Sequence, residues 1–418
     1  TENYNLPPND YKLFLENALD VIIRYRNHPS IVVWNPRNEG YAPRSIEDKL
    51  NQYVAFYDGT RLYQANSRYM NLSNSGPWNY FKNPVNYFFK NAKGFSTELG
   101  TPSIPTAETI RKMMAEEDAW PISDVWHYHD FHSGLVDYVY TIDSLYGVPV
   151  DLEDFSKKAQ FLNYDSHRAM FEAWNSKLWN NTSGLLLWMT HPAWPSMVWQ
   201  VYSSDGETFG SYYGSKKACE PIHVQYNLHD RKVIVINTTL KGMNKSKVNF
   251  TIYDLKGKRI YSEQLQKDIH ANSVTEYFVP NLPEILPEVY LVRLILINEI
   301  GEEISLNDYW NTTNKNFYAF NQLKKTELKA NLISNKQHDV MTFEITNNSL
   351  IPAIGIKLGL RDIDTGERIL PSIFSDCYFT LLPKEKRRFT VKYDKVDPVI
   401  LTIEGYNVAD QNFPIKMR

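Results

Sequence analysis

Residues 26–40 read RNHPSIVVWNPRNEG, and this stretch decides the fold of the first half of the chain. Its run SIVVW is short and apolar, which is typical of a strand buried on both faces of a sheet. A helix is predicted just upstream, where apolar residues recur at helical spacing: Leu13, Phe14, Ala18, Val21, Ile22 and Tyr25. A helix followed by a buried strand is one step of an α/β unit. Asn38 and Glu39 come just past the strand, where charged side chains are uncommon unless something uses them.

The periodicity of apolar residues changes at about residue 218. Before it, helical periodicity alternates with short apolar runs, which implies a parallel sheet of about four or five strands, too few to close an eight-stranded barrel. After it the periodicity is nearly all two-residue, and DLKGKR between alternating runs predicts a hairpin. Two series of about 100 residues each suit β-sandwiches. We therefore predict domains at residues 1–218, 219–322 and 323–418.

Composition excludes several classes of function. With 43% hydrophobic residues over 418 positions the chain can bury sizeable cores, so it is not a disordered protein. Its net charge is −3 and the charges are well mixed, so nucleic acid is not an expected partner. No run approaches the roughly 20 apolar residues of a membrane span. The two cysteines indicate no disulfide framework.

Two glutamates are candidates for chemistry, because Glu39 and Glu98 each follow a short apolar strand. Functional side chains of parallel barrels lie at the carboxyl ends of the strands. Two carboxylates that converge on one pocket are the minimum equipment for glycoside hydrolysis. A lone glutamate after a strand is more often solvated or ion-paired, so position alone leaves both interpretations open.

Four motifs carry a resemblance to a known family. RNHPSIVVWNPRNEG resembles the acid/base segment of glycoside hydrolase family 2, and GFSTELGTPSIPT resembles its nucleophile segment. WPSMVWQVY and YYGSKKACEPIHVQYN resemble its eighth strand, last helix and exit into a sandwich. The branch it resembles is that of exo-β-D-glucosaminidases and mannosylglycoprotein endo-β-mannosidases. The resemblance implies the C-terminal part of a (β/α)8 TIM barrel, from the fourth strand onward, followed by two immunoglobulin-like β-sandwich domains.

The resemblance also implies roles for individual residues. Glu39 matches the general acid/base and Glu98 the nucleophile, while Asn38 matches the residue that hydrogen-bonds the substituent at carbon 2 of the sugar. The family retains anomeric configuration, so the two carboxyls are expected about 5–5.5 Å apart. No cofactor and no metal are implied. Pro36 and Arg37 depart from the small residues common in the branch and would alter the rim of the pocket.

Aromatic residues are further candidates for binding the sugar. Trp188 and Trp194 lie at and after the eighth strand, where the family has an aromatic platform, and Trp78 and Tyr80 fall between the two catalytic segments. Packing in a core is the alternative for each of them.

The segment WHYHDFH brings three histidines close together in sequence: His127, His129 and His132. Their spacing without a full ligand set favours a pocket wall over a metal site.

The expected activity is a retaining hydrolase of terminal β-linked sugars such as glucosaminides, using two glutamates. A β-mannosidase or endo-β-mannosidase of the same family, or a non-catalytic carbohydrate-binding fragment, are the alternatives. The expected partners are an oligosaccharide or glycan and the N-terminal part of the same enzyme, without which the chain is expected to be inactive. The expected location is periplasmic or secreted.

Overall fold

The computed structural model describes residues 6–68, 80–131, 135–337, 340–394 and 398–415. Its contacts divide the chain into two compact units. Unit one comprises Thr1–Asn79, Lys93–Gly100 and Asn180–Trp188, and unit two comprises Tyr80–Ala92, Thr101–Trp179 and Met189–Arg418. Within the described ranges, no helix is both long and apolar enough to cross a bilayer.

Unit one is built from helices and short parallel strands. The helices are α1 (Tyr11–Tyr25) and α2 (Arg44–Tyr53), the latter continued by a π-helical turn, Val54–Asp58. The strands are β1 (Val33–Trp34), β2 (Leu62–Tyr63), β3 (Gly94–Leu99) and β4 (Thr182–Leu187). β1 pairs in parallel with β2, and β3 pairs in parallel with β4. The segments that leave the two strands of a pair therefore start from the same end of that pair.

The apolar run around β1 is not buried on both faces as predicted. Val32 is 76% exposed and Val33 is 39% exposed, and α1 buries only Ile22 of its apolar stripe. Among the described residues β2 is the one strand paired with β1. The prediction was wrong here because a strand is buried on both faces only where other elements cover both faces, and among the described residues Val32 and Val33 are not covered in this way.

Unit two contains six α-helices in its described part. They are α3 (Ala107–Met113), α4 (Glu116–Ala119), α5 (Asp124–Tyr128), α6 (Val136–Tyr146), α7 (Leu152–Asn175) and α8 (Gly210–Ala218). The longest of these, α7, begins directly after Asp151, whose carboxylate caps it by accepting the backbone N–H of Asp154 at 2.8 Å. α8 can approach α7 closely at Gly210 because glycine has no Cβ. A Cβ at this position would lie 2.3 Å from the backbone oxygen of Gln160.

The first sandwich of unit two follows α8. One sheet has the order β11-β10-β7-β8 and the other β5-β6-β9, and all of their pairings are antiparallel. The strands are β5 (Ile222–Tyr226), β6 (Val233–Asn237), β7 (Met243–Asp254), β8 (Arg259–Ile269), β9 (Ser273–Phe278), β10 (Val289–Ile297) and β11 (Glu303–Thr312). The predicted DLKGKR hairpin is confirmed, since it joins β7 to β8 and Gly257 supplies the positive φ of +75° that the turn needs.

The second sandwich occupies the rest of the described chain. Its sheets have the orders β12-β13-β17-β15 and β16-β14-β18-β19. The strands are β12 (Leu328–Gln337), β13 (Val340–Asn347), β14 (Ala353–Asp362), β15 (Ser372–Phe374), β16 (Phe379–Leu381), β17 (Lys386–Tyr393), β18 (Val399–Glu404) and β19 (Gln411–Ile415). Buried and less buried residues alternate along β13, where Met341, Phe343 and Ile345 are all buried.

A buried arginine joins the two sandwiches. Arg293 of β10 binds Asp308 of β11 through two hydrogen bonds of 2.7 Å, and its third nitrogen contacts the carboxylate of Glu385, just before β17, at 2.7 Å. Nearby, the indole N–H of Trp310 donates to the hydroxyl of Thr380 at 3.1 Å. The charge of Arg293 is therefore neutralised by one carboxylate from each sandwich.

Candidate active site

Asn38 and Glu39 lie in the segment that leaves β1. The backbone of Glu39 has a φ of +44°, a left-handed conformation that residues with a Cβ adopt at a cost of roughly 1–3 kcal/mol. This conformation is held by a hydrogen bond from the Glu39 backbone N–H to the hydroxyl of Ser67, at 2.9 Å. Strained backbone of this kind is concentrated at functional sites.

Ser67 follows β2 and contacts each of the three predicted catalytic and carbon-2 residues. Besides accepting the Glu39 N–H, its Oγ lies 2.8 Å from the Oδ1 of Asn38 and 3.5 Å from the Oε1 of Glu98. One hydroxyl therefore brings Asn38, the backbone of Glu39 and the carboxylate of Glu98 into one site. The sequence predicts that Glu39 and Glu98 converge, from their positions after strands and from the family resemblance, but it does not predict the part of Ser67.

Glu98 lies near the end of β3 and is 9% exposed. The next residue, Leu99, accepts the backbone N–H of Trp188 at 2.9 Å, because β3 and β4 run in parallel and Leu99 is paired with Leu187. Trp188, which is 45% exposed, thus follows β4 at the same strand end as Glu98. A half-exposed indole at that position can offer a flat face to a sugar ring.

Arg68 adds a positive charge to the site. Its Nη2 lies 3.2 Å from the Oε1 of Glu39, and both side chains are about one-third exposed, at 35% each. The site in unit one therefore combines one partly exposed carboxylate paired with a cation, one buried carboxylate, an amide and a hydroxyl. The separation of about 5–5.5 Å expected between the two carboxyls of a retaining enzyme stays a prediction.

The remaining residues predicted to bind the sugar lie in unit two or outside the described residues. Trp194 is 39% exposed and stacks on the His129 ring with 5.5 Å between ring centroids. Tyr80 packs edge to face against Tyr138 at 5.4 Å, where burial raises the pKa of its phenol. Trp78 lies outside the described residues. The substrate-binding roles of these residues, like that of Trp188, stay predictions.

The histidine segment is partly described. His129 Nδ1 lies 2.7 Å from the carbonyl oxygen of Pro195, so that ring nitrogen is engaged with backbone, and His132 is not among the described residues. Across the described ranges no group of three or more His, Cys, Asp or Glu side chains could hold a metal ion.

Sequence reasoning missed Ser67 and Arg68. Residues 67–73 resemble a strand in the sequence, whereas the structure ends β2 at Tyr63 and has Ser67 and Arg68 in a bend after it. The part of this interpretation that falls on residues 69–73 lies outside the described residues. Ser67 could have been predicted from its place in the sequence, because β1 and β2 are parallel and polar residues that follow them lie at the same end of the pair as Asn38.

Three family profiles match the chain in the order that the sequence motifs imply. Residues 3–91 match the TIM barrel domain of glycosyl hydrolases family 2, residues 229–316 match a mannosidase Ig/CBM-like domain, and residues 307–408 match the exo-β-D-glucosaminidase Ig-fold domain. The resemblance is thereby confirmed, and the family is glycoside hydrolase family 2. The fold class is confirmed with it: part of a TIM barrel followed by two immunoglobulin-like domains.

Within this family the chain is similar to several curated proteins. It is 30% identical over 72% of its length to the mannosylglycoprotein endo-β-mannosidase of Lilium longiflorum, covering 37% of that protein. It is 26% identical over 97% of its length to the exo-β-D-glucosaminidase of Streptomyces avermitilis, covering 50%. The chain thus spans half or less of these relatives.

Solved structures share the fold. The exo-chitosanase CsxA of Amycolatopsis orientalis superposes on 97% of the chain with a TM-score of 0.84 at 24% identity, and 54% of that protein is covered. The β-D-mannosidase of Dictyoglomus thermophilum superposes on 96% of the chain with a TM-score of 0.79 at 23% identity, and 52% is covered.

Proposed function

We propose that this chain carries the catalytic glutamates of a retaining β-glycosidase that removes terminal β-linked amino sugars from oligosaccharides. The observation that carries the proposal is the contact of one hydroxyl, that of Ser67, with Asn38, with the backbone of Glu39 and with the carboxylate of Glu98. Double displacement at a sugar requires two carboxylates, and an amide beside them can hydrogen-bond the carbon-2 substituent.

In the proposed mechanism Glu98 attacks the anomeric carbon while Glu39 protonates the leaving oxygen. The bond from carbon to the leaving group breaks, and a glycosyl ester forms on Glu98. Glu39, now ionised, takes a proton from water, which attacks the ester and releases the sugar and Glu98. Asn38 donates a hydrogen bond to the carbon-2 substituent, a contact that strengthens in the transition state.

The sugar is proposed from the relatives. The exo-β-D-glucosaminidases of Streptomyces avermitilis and Amycolatopsis orientalis each align over 97% of the chain. A CsxA variant similar to this chain at 25% identity has been solved with PNP-β-D-glucosamine. The second candidate, β-mannoside cleavage, is supported by the 30% identity to the lily endo-β-mannosidase.

We also propose that further polypeptide, the N-terminal part of the same enzyme, completes the barrel. The support is the apolar surface that α1 and β1 expose, including Leu13, Val21 and Val32. Export to the periplasm or the medium is proposed as well, because chitosan-like polymers do not cross membranes unaided. Fractionation of the producing cells would test this.

The deciding experiment is Glu98→Gln in the assembled enzyme, meaning this chain together with the N-terminal part. An amide cannot form the glycosyl ester, so hydrolysis of nitrophenyl β-glucosaminide should fall roughly 10³-fold or more. Glu116→Gln, at an exposed carboxylate of unit two, is the matched control and should keep wild-type rates.

Nitrophenyl β-mannoside, assayed in parallel, separates the two sugar candidates. Near-normal turnover by Glu98→Gln would refute the nucleophile. Failure of the wild-type assembly to hydrolyse either glycoside would favour a non-catalytic carbohydrate-binding protein.

A further inference from the structure

We infer that Ser67 is a positioning residue that fixes the orientation of the Asn38 amide beside Glu98. This inference rests on the proposed function, because it assigns Ser67 to the same site. It starts from the backbone of Ser67, whose N–H donates to the carbonyl of Arg37 at 3.1 Å and whose carbonyl accepts the hydroxyl of Thr97 at 2.7 Å. Ser67 therefore links the segment after β1 to β3, the two segments that carry the glutamates.

The hydrogen-bonding capacity of the Ser67 hydroxyl determines what it can do. A hydroxyl has one proton to donate and two lone pairs to accept with. One lone pair accepts the Glu39 N–H, so the single proton can go to only one of two acceptors, Asn38 Oδ1 at 2.8 Å or Glu98 Oε1 at 3.5 Å. The shorter distance assigns the proton to Asn38 in this structure.

This assignment has a consequence for the amide of Asn38. The carbonyl oxygen of the amide faces Ser67, so the NH2 group is directed away from it. An NH2 group is the donor that a carbon-2 hydroxyl or amine accepts from, whereas a flipped amide would present an oxygen. Ser67 thus sets which end of Asn38 the sugar meets.

The contact with Glu98 is a close approach of two oxygens and not a second hydrogen bond. Glu98 is buried, and its Oε1 lies 3.5 Å from the Ser67 Oγ, whose proton is engaged with Asn38. The effect of Ser67 is therefore expected to pass through Asn38, whose hydrogen bond to the sugar strengthens in the transition state. Loss of the hydroxyl should slow formation of the glycosyl ester more than it weakens binding.

The test compares Ser67→Ala with wild type on two aryl β-glycosides in the assembled enzyme, one with its carbon-2 substituent and one 2-deoxy. On the first substrate kcat should fall about 10- to 100-fold with little change in KM. On the 2-deoxy substrate the loss should be at least threefold smaller, because Asn38 has nothing to hydrogen-bond there. A residue that only maintained the fold would affect both substrates equally.

Matched variants guard the interpretation. Ser45→Ala, on the exposed face of α2, should behave as wild type, and Ser67→Thr should restore most of the lost kcat because it keeps the hydroxyl. If Ser67→Ala does not fold, Ser67→Cys keeps the shape with a poor donor and should show the same substrate-dependent loss. Unchanged kcat, or equal losses on both substrates, would overturn the inference. The proposed function would survive that outcome as long as Glu98→Gln is inactive.

Discussion

As the proposed acid/base residue, Glu39 would have to be protonated when the glycosidic bond breaks and ionised when water attacks. Arg68 pairs with Glu39 in this structure, with 3.2 Å between its Nη2 and the Oε1 of Glu39. We expect a bound sugar to separate this pair, since the leaving oxygen has to approach the same carboxyl. Arg68 can then pair with Glu39 again once the proton has been transferred.

The role of Glu39 can be tested through the leaving group. Glu39→Gln should slow hydrolysis of glycosides with poor leaving groups by roughly 10²–10⁴-fold, because these need protonation in the transition state. Activated dinitrophenyl glycosides should lose far less in their first step. Rates are measured over a series of aryl leaving groups, and equal losses along the series would exclude general acid catalysis by Glu39.

At the scale of single residues, the sequence identifies residues that fall in family motifs better than residues outside them. Asn38, Glu39 and Glu98 stand out because they lie in motifs that resemble those of a known family, whereas a carboxylate just past an apolar run is by itself more often solvated or ion-paired. Ser67 does not stand out, since a serine in a polar bend has many. Its importance comes from three contacts that exist only after β1, β2 and β3 are brought together.

At the scale of elements, β5 shows how one short strand serves two layers. Its residues Val224 and Tyr226 lie in the core of the first sandwich, while His223 and Gln225 point to α7. Gln225 donates to the backbone oxygen of Glu172 at 3.0 Å. The two-residue alternation of a strand therefore explains why HVQY, with polar residues at alternate positions, joins the sandwich to a helix.

His223 is held between two carboxylates at this junction. Its Nε2 lies 3.1 Å from Glu172 and its Nδ1 lies 3.2 Å from Glu220, while Asn307 and Tyr309 of β11 also donate to Glu172. Burial by itself would lower the pKa of His223, but the hydrogen bonds to the two carboxylates outweigh it and the pKa is raised. The protonated imidazole can donate to both partners at once.

This geometry predicts a pH dependence of stability. Because the folded pKa of His223 lies above the unfolded value, near 6.5, its contribution is complete below about pH 6.5 and is lost as the pH rises through the folded pKa. His223→Gln should lower the free energy of unfolding by about 3 kcal/mol at pH 6 and should flatten its decline toward pH 9. Urea denaturation at several pH values measures both effects.

The control for this prediction is His270→Gln, at an exposed histidine between β8 and β9. It should leave both the stability and its slope with pH unchanged. A decline toward pH 9 that is as steep in His223→Gln as in wild type would show that another group titrates.

At the scale of the whole molecule, the order of the three parts could be predicted from periodicity and motifs, but the division into compact units could not. Helices α6, α7 and α8 precede residue 218, yet they pack in unit two with the sandwiches. The reason is physical: α7 meets β5 and β11 through the buried contacts of Glu172 and Arg168, and single-sequence patterns contain no signal for such long-range pairs.

The exposed surface of unit one leads to a prediction for the chain by itself. We expect it to be catalytically silent, to bind an apolar dye through the face of α1 and β1, and to lose the structure of unit one first on heating, whereas unit two stays folded. Addition of the N-terminal part should abolish dye binding and produce hydrolysis. Full activity of the isolated 418-residue chain would contradict both the predicted domain limits and the proposed partner.

The shared guanidinium of Arg293 also has a mechanical meaning. Tandem sandwiches joined by a plain linker extend under force one at a time, as beads on a string do. Here a pull on the C-terminus has to shear the contacts of Arg293 with Glu385 and Thr380 before the second sandwich can swing away from the first. The two sandwiches are therefore expected to resist such a pull together, through side-chain contacts as well as through the backbone that links them.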